Sequence, residues 1–266
     1  MVYFKRWPQW WVKEDNNLSI IDVVNSSGVD FKLAGLLWFL MEHRASVLVA
    51  AGPSWAGKST LLHALLDFLP PETERIALQG YYEDFSFTRS TKPEKAYLIT
   101  EEISNHSYEY LWGHQVVSAL ELIPRGYALG GTIHARNIKE VVYVLNALGA
   151  SASLIAGLGL VVTLQVIYRR SYDEEPIRFV DTVSTLSLTK EGLVAQALVM
   201  RQSTNDKYIY PAEPTLHNTL FSKFGINCEN VSSEIERRGH FLRQLSEKGV
   251  CSREEIRKAL PEYYKS

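Results

Sequence analysis

The chain has 266 residues, of which 46% are hydrophobic and 22% are charged, as in a globular protein with one large domain or one domain and an appendage. Its formal net charge of -2 provides no overall basic surface, so nucleic acid is not expected as a partner. The two cysteines, Cys228 and Cys251, are too few for a disulfide framework or a zinc cluster. We expect both to be reduced thiols.

The N-terminal segment is rich in aromatic side chains, namely Tyr3, Phe4, Trp7, Trp10 and Trp11. These either pack on the protein's own core or face a partner, since aromatic residues are enriched at interfaces. The segment lacks the apolar run of a signal peptide. The apolar stretch 33–43 is about half as long as a membrane span requires. We therefore expect a soluble, cytoplasmic protein.

Residues 19–44 predict two short helices with a break at 26–28, and an alternation of strands and helices follows. Such alternation predicts a parallel sheet covered by helices on both faces. Strands are predicted at 46–52, 75–82, 95–100, 127–135 and 158–170, and helices at 57–69, 108–123 and 138–149.

The chain after residue 172 predicts a different architecture. Apolar, β-rich runs flank Lys190, Glu191 and Gly192 and predict an antiparallel hairpin. From about Pro214 the chain is expected to be helical, with capping boxes at Ser233/Glu236 and Ser252/Glu255 and a helix end at Gly249. We divide the chain into an N-terminal aromatic segment with linker helices (1–44), a nucleotide-binding core (45–172) and a C-terminal hairpin and helical part (173–266).

The stretch "AGPSWAGKST" has the spacing of a phosphate-binding loop and lies between a buried strand and a helix. Glycines let backbone N–H groups converge on phosphate oxygens, and the helix N-terminus adds partial positive charge. Lys58 would reach the β- and γ-phosphates, and the Ser59 hydroxyl would ligate Mg²⁺. The expected nucleotide-binding residues are Gly52, Pro53, Ser54, Trp55, Ala56, Gly57, Lys58, Ser59 and Thr60.

Carboxylates follow an apolar strand in "AYLITEE", where hydrolysis would need a group to position or activate water. We assign Glu101 as the catalytic carboxylate and a Mg²⁺ ligand, with Glu102 sharing metal or water contacts. A second acidic pair, Glu83 and Asp84, either touches Mg²⁺ through water or forms an exposed turn. His134 ends a further strand, and on spacing alone it is either a neighbour of the γ-phosphate or an ordinary packed histidine.

Taken in order, these motifs resemble those of the type II/type IV secretion system ATPases, the hexameric motors of pili, archaeal flagella and secretion machines. "AGPSWAGKST", "YYEDF", "AYLITEE" and "GGTIHARN" are similar to that family's phosphate loop, acidic box, Walker B glutamate and histidine box. The segment 234–264 is similar to the C-terminal helices of the archaeal-type members, so the resemblance extends from about residue 18 to the C-terminus.

The resemblance implies a RecA-like α/β P-loop core, followed by the C-terminal β-hairpin and helical tail. It implies ATP and Mg²⁺ as ligands, Glu83 and Asp84 as the acidic box, and His134 as the group that couples the γ-phosphate to domain movement. It also implies a hexameric ring, of this chain or with a paralogue, at the inner face of the cell membrane in contact with a membrane platform protein.

Departures from the family pattern concern the groups that complete its active sites. The family's N-terminal domain is expected to be absent, and the region between acidic box and Walker B strand is short. Ile103 stands where the family commonly has an arginine. The residue that serves as the arginine finger is therefore not assigned. Arg136 is the first choice, and the further candidates are Arg89, Arg125, Arg169 and Arg170.

The sequence thus predicts a Mg²⁺-dependent ATPase that drives domain movement in a secretion or pilus machine. The alternative is a nucleotide-binding regulatory or scaffold subunit with little turnover. A P-loop kinase shares the loop, but the sequence has no arginine-rich lid segment.

Overall fold

One eight-stranded sheet organises the protein, whose computed structural model describes residues 18–26, 28–168 and 175–265. The predicted aromatic segment with Trp7, Trp10 and Trp11, and the candidate cations Arg169 and Arg170, lie outside the described residues. The strands are β1 (Val47–Ala51), β2 (Glu74–Ala77), β3 (Ala96–Ile99), β4 (Ala128–His134), β5 (Leu160–Ile167), β6 (Ile177–Thr189), β7 (Gly192–Arg201) and β8 (Tyr208–Ile209).

The sheet order is β2-β3-β4-β1-β5-β6-β7-β8. Strands β1 to β5 are parallel to their neighbours, whereas β6, β7 and β8 join in antiparallel fashion. The α/β class, the central parallel sheet and the C-terminal hairpin are therefore confirmed, in agreement with the RecA-like core that the resemblance implies. Because parallel strands end at the same edge of a sheet, the loops after β1, β3 and β4 meet there.

Helices cover both faces of the sheet. Alternate β1 residues point to opposite sides, so Val47 and Val49 join one buried cluster and Leu48 and Ala50 join another. The helices are α1 (Ile20–Asn25), α2 (Phe31–Glu42), α3 (Lys58–Leu66), α4 (His114–Leu122), α5 (Ile138–Ala147), α6 (Ala152–Gly157), α7 (Glu213–Phe224), α8 (Val231–Glu247) and α9 (Arg253–Tyr263). None of these described helices has both the length and the apolar character that crossing a membrane requires.

The C-terminal helices pack back on the N-terminal part of the described chain. Gly35 of α2 meets Gly239 of α8 so closely that a Cβ on Gly35 would lie 2.3 Å from the Ile235 carbonyl oxygen. The hairpin strands β6 and β7 continue the same sheet as β1 to β5. The proposed three-part division stays a prediction, while the described parts share one sheet and a common apolar core.

Two sequence predictions of helix starts are wrong. Helix α4 begins at His114 rather than at residue 108, because Gly113 has φ 63° and ψ -137° and Leu111 pairs with Ile103. Helix α8 begins at Val231 after Asn230, so Ser233 lies inside the helix and forms no capping box with Glu236. The Ser252 capping box is confirmed, and Gly249, with φ 76°, follows the end of α8 as predicted.

Candidate nucleotide-binding site

The phosphate-binding loop connects the central strand β1 to helix α3. Gly57 is the N-cap of α3 and has φ 88°, a left-handed conformation that glycine adopts without steric cost. As a glycine, Gly57 has no side chain to cap this helix start. A helix N-terminus directs backbone N–H groups at an anion, and the helix dipole favours negative charge there.

Lys58 and Ser59 stand at this helix start with their functional groups directed into the site. Lys58 is 7% exposed, and its Nζ lies 3.4 Å from Nε2 of His134. Burial lowers the pKa of Lys58, although the charges of Glu102 and Glu101 oppose the shift. The Ser59 hydroxyl neighbours the Glu101 carboxylate and helps to lower the pKa of Glu101. The phosphate-binding loop and the segment after β3, which carries Glu101, thus meet at one point, as the motifs predict.

Glu101 is held by both its backbone and its side chain. The Thr132 hydroxyl donates to the Glu101 carbonyl oxygen at 2.7 Å, and Nε2 of His63 lies 3.5 Å from Oε2. Burial by itself would raise the pKa of Glu101, but the neighbouring His63 and Ser59 side chains and the charge of Lys58 lower it overall. A carboxylate with a lowered pKa is ionised at neutral pH and can accept a hydrogen bond or a proton from water.

Glu102 contacts His134, whereas Glu101 contacts His63. Its Oε2 lies 3.4 Å from His134 Nε2, and its Oε1 lies 3.9 Å from Nδ1 of His106. His134 Nδ1 lies 3.2 Å from the Gly52 carbonyl oxygen. A carbonyl oxygen only accepts, so Nδ1 carries the proton, and Nε2 faces Lys58 and Glu102.

A cleft of about 630 Å³ collects these groups. It also reaches α1 and β6, which extend the site beyond the predicted motifs. Of the sequence-predicted residues, those that line it are Ser54, Trp55, Ala56, Gly57, Lys58, Ser59, Thr60, Glu101, Glu102 and His134. Its volume lies within the range of small-molecule and cofactor sites.

The acidic pair lies outside the described lining of this cleft. Glu83 is 6% exposed and accepts hydrogen bonds from the backbone N–H groups of Gln79 and Phe85. Asp84 accepts a hydrogen bond from the Ser86 N–H. In this structure both carboxylates stabilise the turn after β2, and their assignment as an acidic box stays a prediction.

Arg136 follows β4 but turns toward the surface. Its Nε donates to Glu140 Oε1 at 2.8 Å, and the side chain is 75% exposed. Its stem packs on Gly52, where an added Cβ would lie 2.4 Å from Arg136 Cγ. The structure therefore does not bring the Arg136 guanidinium to the described lining of the cleft.

Functional candidates that sequence reasoning missed are His63, His106 and Arg178. Arg178 of β6 lines the cleft and donates from Nε to the Trp55 carbonyl oxygen at 2.7 Å. His63 lies one turn after Ser59 on α3, so the two side chains share a face and both reach Glu101. The i, i+4 spacing of Ser59 and His63 could have predicted His63 from the sequence, whereas Arg178 reaches the phosphate loop only through the tertiary fold.

Comparison with known proteins finds no matching family model and no matching curated protein. Among solved structures, the chain is similar to the VirB11 ATPase of the Brucella suis type IV secretion system in complex with sulphate (15% identity, 69% of this chain, 63% of that chain, TM-score 0.37). It is also similar to the Legionella pneumophila ATPase DotB (11%, 88%, 66%, TM-score 0.41) and to the pilus retraction motor PilT with bound ADP (14%, 83%, 59%, TM-score 0.37).

These neighbours belong to the group of ATPases that the sequence motifs resemble. The chain spans less than two thirds of the length of each of them. Likenesses at these TM-scores carry no functional argument, so function is inferred from the geometry of the site.

Proposed function

We propose that this chain binds ATP with Mg²⁺ and hydrolyses it to ADP and phosphate. One observation carries the proposal: Lys58 and Ser59 of the phosphate loop line a single cleft together with Glu101. A phosphate-binding loop alone holds a nucleotide. A carboxylate beside the expected position of the γ-phosphate adds the means to direct water at it.

The residues present fit both ligands. The N-terminus of α3 and the left-handed Gly57 suit a phosphate chain, and Lys58 supplies a positive charge. Ser59 and Glu101 offer hard oxygen ligands, which Mg²⁺ prefers, and waters would complete its coordination. Bound there, Mg²⁺ would neutralise charge on the phosphate oxygens.

Each side chain then has a defined task in hydrolysis. Lys58 binds the β- and γ-phosphates and leaves His134 when it does so. Glu101 orients a water molecule and accepts its proton as the water oxygen attacks the γ-phosphorus and ADP departs. His134, which contacts Glu102 and the Gly52 carbonyl oxygen, would respond to the γ-phosphate.

The proposed biological role is a motor subunit of a secretion or pilus-type machine. The ordered series of phosphate loop, Glu101 and His134 supports this role through its resemblance to the motor family. A hexameric ring, a cytoplasmic location at the inner face of the membrane and contact with a membrane platform protein belong to the same proposal.

A second candidate is a nucleotide-binding regulatory or scaffold subunit with little turnover. The position where the motor family commonly has an arginine is Ile103, which is 1% exposed and pairs with Leu111 and Ile133. The chain therefore supplies no cation to the phosphates from that position. This observation favours slow hydrolysis by an isolated subunit.

The experiment that tests the proposal measures ATP binding and hydrolysis separately, on wild type and on matched variants. Lys58→Ala should weaken ATP binding, and Glu101→Gln should retain ATP binding but lose hydrolysis. Glu121→Gln, an exposed carboxylate on α4, is the control and should leave both unchanged. Normal turnover in Glu101→Gln would remove Glu101 as the base, and tight binding without wild-type turnover would favour the regulatory alternative.

A further inference from the structure

Two histidines and a carboxylate converge at the edge of the cleft. They are Glu102, His106 and His134, and one ligand atom from each lies within 4.8 Å of the others. We call these residues the Glu–His–His cluster. His106 comes from the loop before α4 and is absent from the phosphate-loop, Walker B and histidine-box motifs. Its ring centroid lies 5.8 Å from that of His134.

The cluster is oriented as metal ligands commonly are. His134 donates its Nδ1–H to the Gly52 carbonyl oxygen, which leaves the lone pair of Nε2 directed at the cluster. Histidines that ligate metals usually donate their other ring N–H to a carbonyl or carboxylate in this way. The backbone of Glu102 is also fixed, because its carbonyl oxygen accepts from Leu111 N–H at 2.9 Å.

The cluster contains one buried acceptor that lacks a donor in the described chain. Oε1 of Glu102 is buried and has no hydrogen-bond partner among the described residues. Oε2 of Glu102 and Nε2 of His134 lie 3.4 Å apart, a separation at which one bound cation can contact both atoms. Lys58 is within reach of Nε2 at 3.4 Å, but its role at the phosphates would draw it away.

The distances suit a tetrahedral metal ion. Ligand atoms 2.0–2.1 Å from zinc are separated by about 3.4 Å in a tetrahedron. Oε2 of Glu102 and Nε2 of His134 have this separation already, and Nδ1 of His106 lies 3.9 Å from the other Glu102 oxygen, Oε1. The His106 side chain is 68% exposed, so a small rotation of its ring can close the remaining gap.

We propose that the Glu–His–His cluster binds a divalent transition-metal ion of the zinc type. Two imidazoles and a carboxylate favour such an ion over Mg²⁺, which prefers oxygen ligands. Three protein ligands would leave a fourth position to water. The site is separate from the proposed Mg²⁺ ligands, Ser59 and Glu101.

Metal binding has a consequence that depends on the proposed hydrolysis. The ion would occupy His134 Nε2 and the Glu102 carboxylate, both assigned to the hydrolytic site. Micromolar zinc should therefore inhibit ATP hydrolysis, and His106→Gln should relieve that inhibition. Binding itself does not depend on hydrolysis, so the two proposals can fail separately.

The test is Co²⁺ and Zn²⁺ binding by the full chain in excess Mg²⁺, with the visible absorption of Co²⁺ and competition by Zn²⁺ as readouts. We expect one ion per chain and an affinity at least about 10-fold weaker in His106→Gln, since losing even a second-shell partner costs that much. His240→Gln, an exposed histidine on α8, is the control and should bind as wild type.

Equal affinity in wild type and His106→Gln would overturn the proposal, as would the absence of Co²⁺ absorption. Because His106 is exposed on a loop, the variant should fold, and its thermal unfolding midpoint checks this. A Ser59→Ala variant adds a second comparison. It removes a proposed Mg²⁺ ligand and should leave Zn²⁺ affinity unchanged, whereas a parallel loss would assign the ion to the phosphate-loop site.

Discussion

A buried ion pair ties the C-terminal helix α9 to the phosphate-loop helix α3. Arg253 of α9 donates to both carboxylate oxygens of Asp67, at 2.6 and 2.8 Å, and to the His63 carbonyl oxygen at 2.9 Å. The side chains of Arg253 and Asp67 are 9% and 5% exposed. Arg257 also contacts Asp67 at 2.9 Å but is 40% exposed. Nearby, burial lowers the pKa of Arg75 to about 10, and the Asp67 charge opposes the shift.

This geometry predicts a graded loss of stability. Asp67→Ala removes the carboxylate beside three arginines, two of them buried, and should lower the free energy of unfolding by about 5 kcal/mol, the upper end for breaking a buried pair. Arg253→Ala leaves Asp67 with Arg257 and should cost about 3 kcal/mol. Arg257→Ala removes a largely solvated partner and should cost less than about 1 kcal/mol.

Urea unfolding followed by circular dichroism measures these differences. In thermal unfolding, about 2–4 °C per kcal/mol is expected for a chain of this size. The reasoning would be refuted if Asp67→Ala were no more destabilising than Arg257→Ala. Such a result would mean that solvent, and not Asp67, satisfies the buried arginines.

Four further substitutions test other features. Arg136 is exposed and lies outside the lining of its own cleft, so as an arginine finger it would act on a neighbouring chain. On that hypothesis Arg136→Ala should slow hydrolysis with little change in ATP affinity, and unchanged turnover would remove Arg136 as the arginine finger. Because the pKa of Glu101 is lowered in the folded state, the ionised carboxylate stabilises the fold at pH values above the unfolded-state pKa. This stabilisation is lost as the pH falls through the folded-state pKa. In urea unfolding, the stability advantage of wild type over Glu101→Gln should therefore shrink on acidification. Trp38→Ala should cost about 3–5 kcal/mol because Trp38 is 1% exposed, whereas Trp55, 90% exposed, should tolerate alanine within about 0.5 kcal/mol.

The central strands and the phosphate loop were predictable because their signals are local. The strand β1 is a short apolar run. The phosphate loop, including Gly57, and the helix that follows it are recognised from residues only a few positions apart in the sequence. The Ser252 capping box is equally local and was confirmed. The same rule failed at Ser233, because the chain enters α8 two residues before it. Local spacing identifies a possible cap but does not say where tertiary packing lets the helix begin.

The rest of the site could be predicted only in part, since it is assembled across the sheet. Glu101, Glu102 and His134 were found because they end strands that the sheet brings to one edge. Arg178 was not found, because the antiparallel β6 delivers it to the loop from a distant part of the chain. His106 was missed because it belongs to no recognised motif, and only the path of the loop before α4 brings it to Glu102.

The cations available to the phosphates lead to a last prediction. In the described lining of the cleft they are Lys58 and Arg178, and the Nε of Arg178 is bound to the Trp55 carbonyl oxygen. Ile103 is buried in the apolar core, so the side chain of an arginine at this position would begin within that core. The charge that develops on the γ-phosphate therefore lacks a second free cation within these residues, and such a cation is worth a large factor in rate. We expect specific activity to climb steeply with protein concentration and then to saturate, as a neighbouring chain supplies the missing charge. A high rate that is the same at every dilution would contradict this, and its loss in Arg178→Ala would then assign the cation to Arg178 of the same chain.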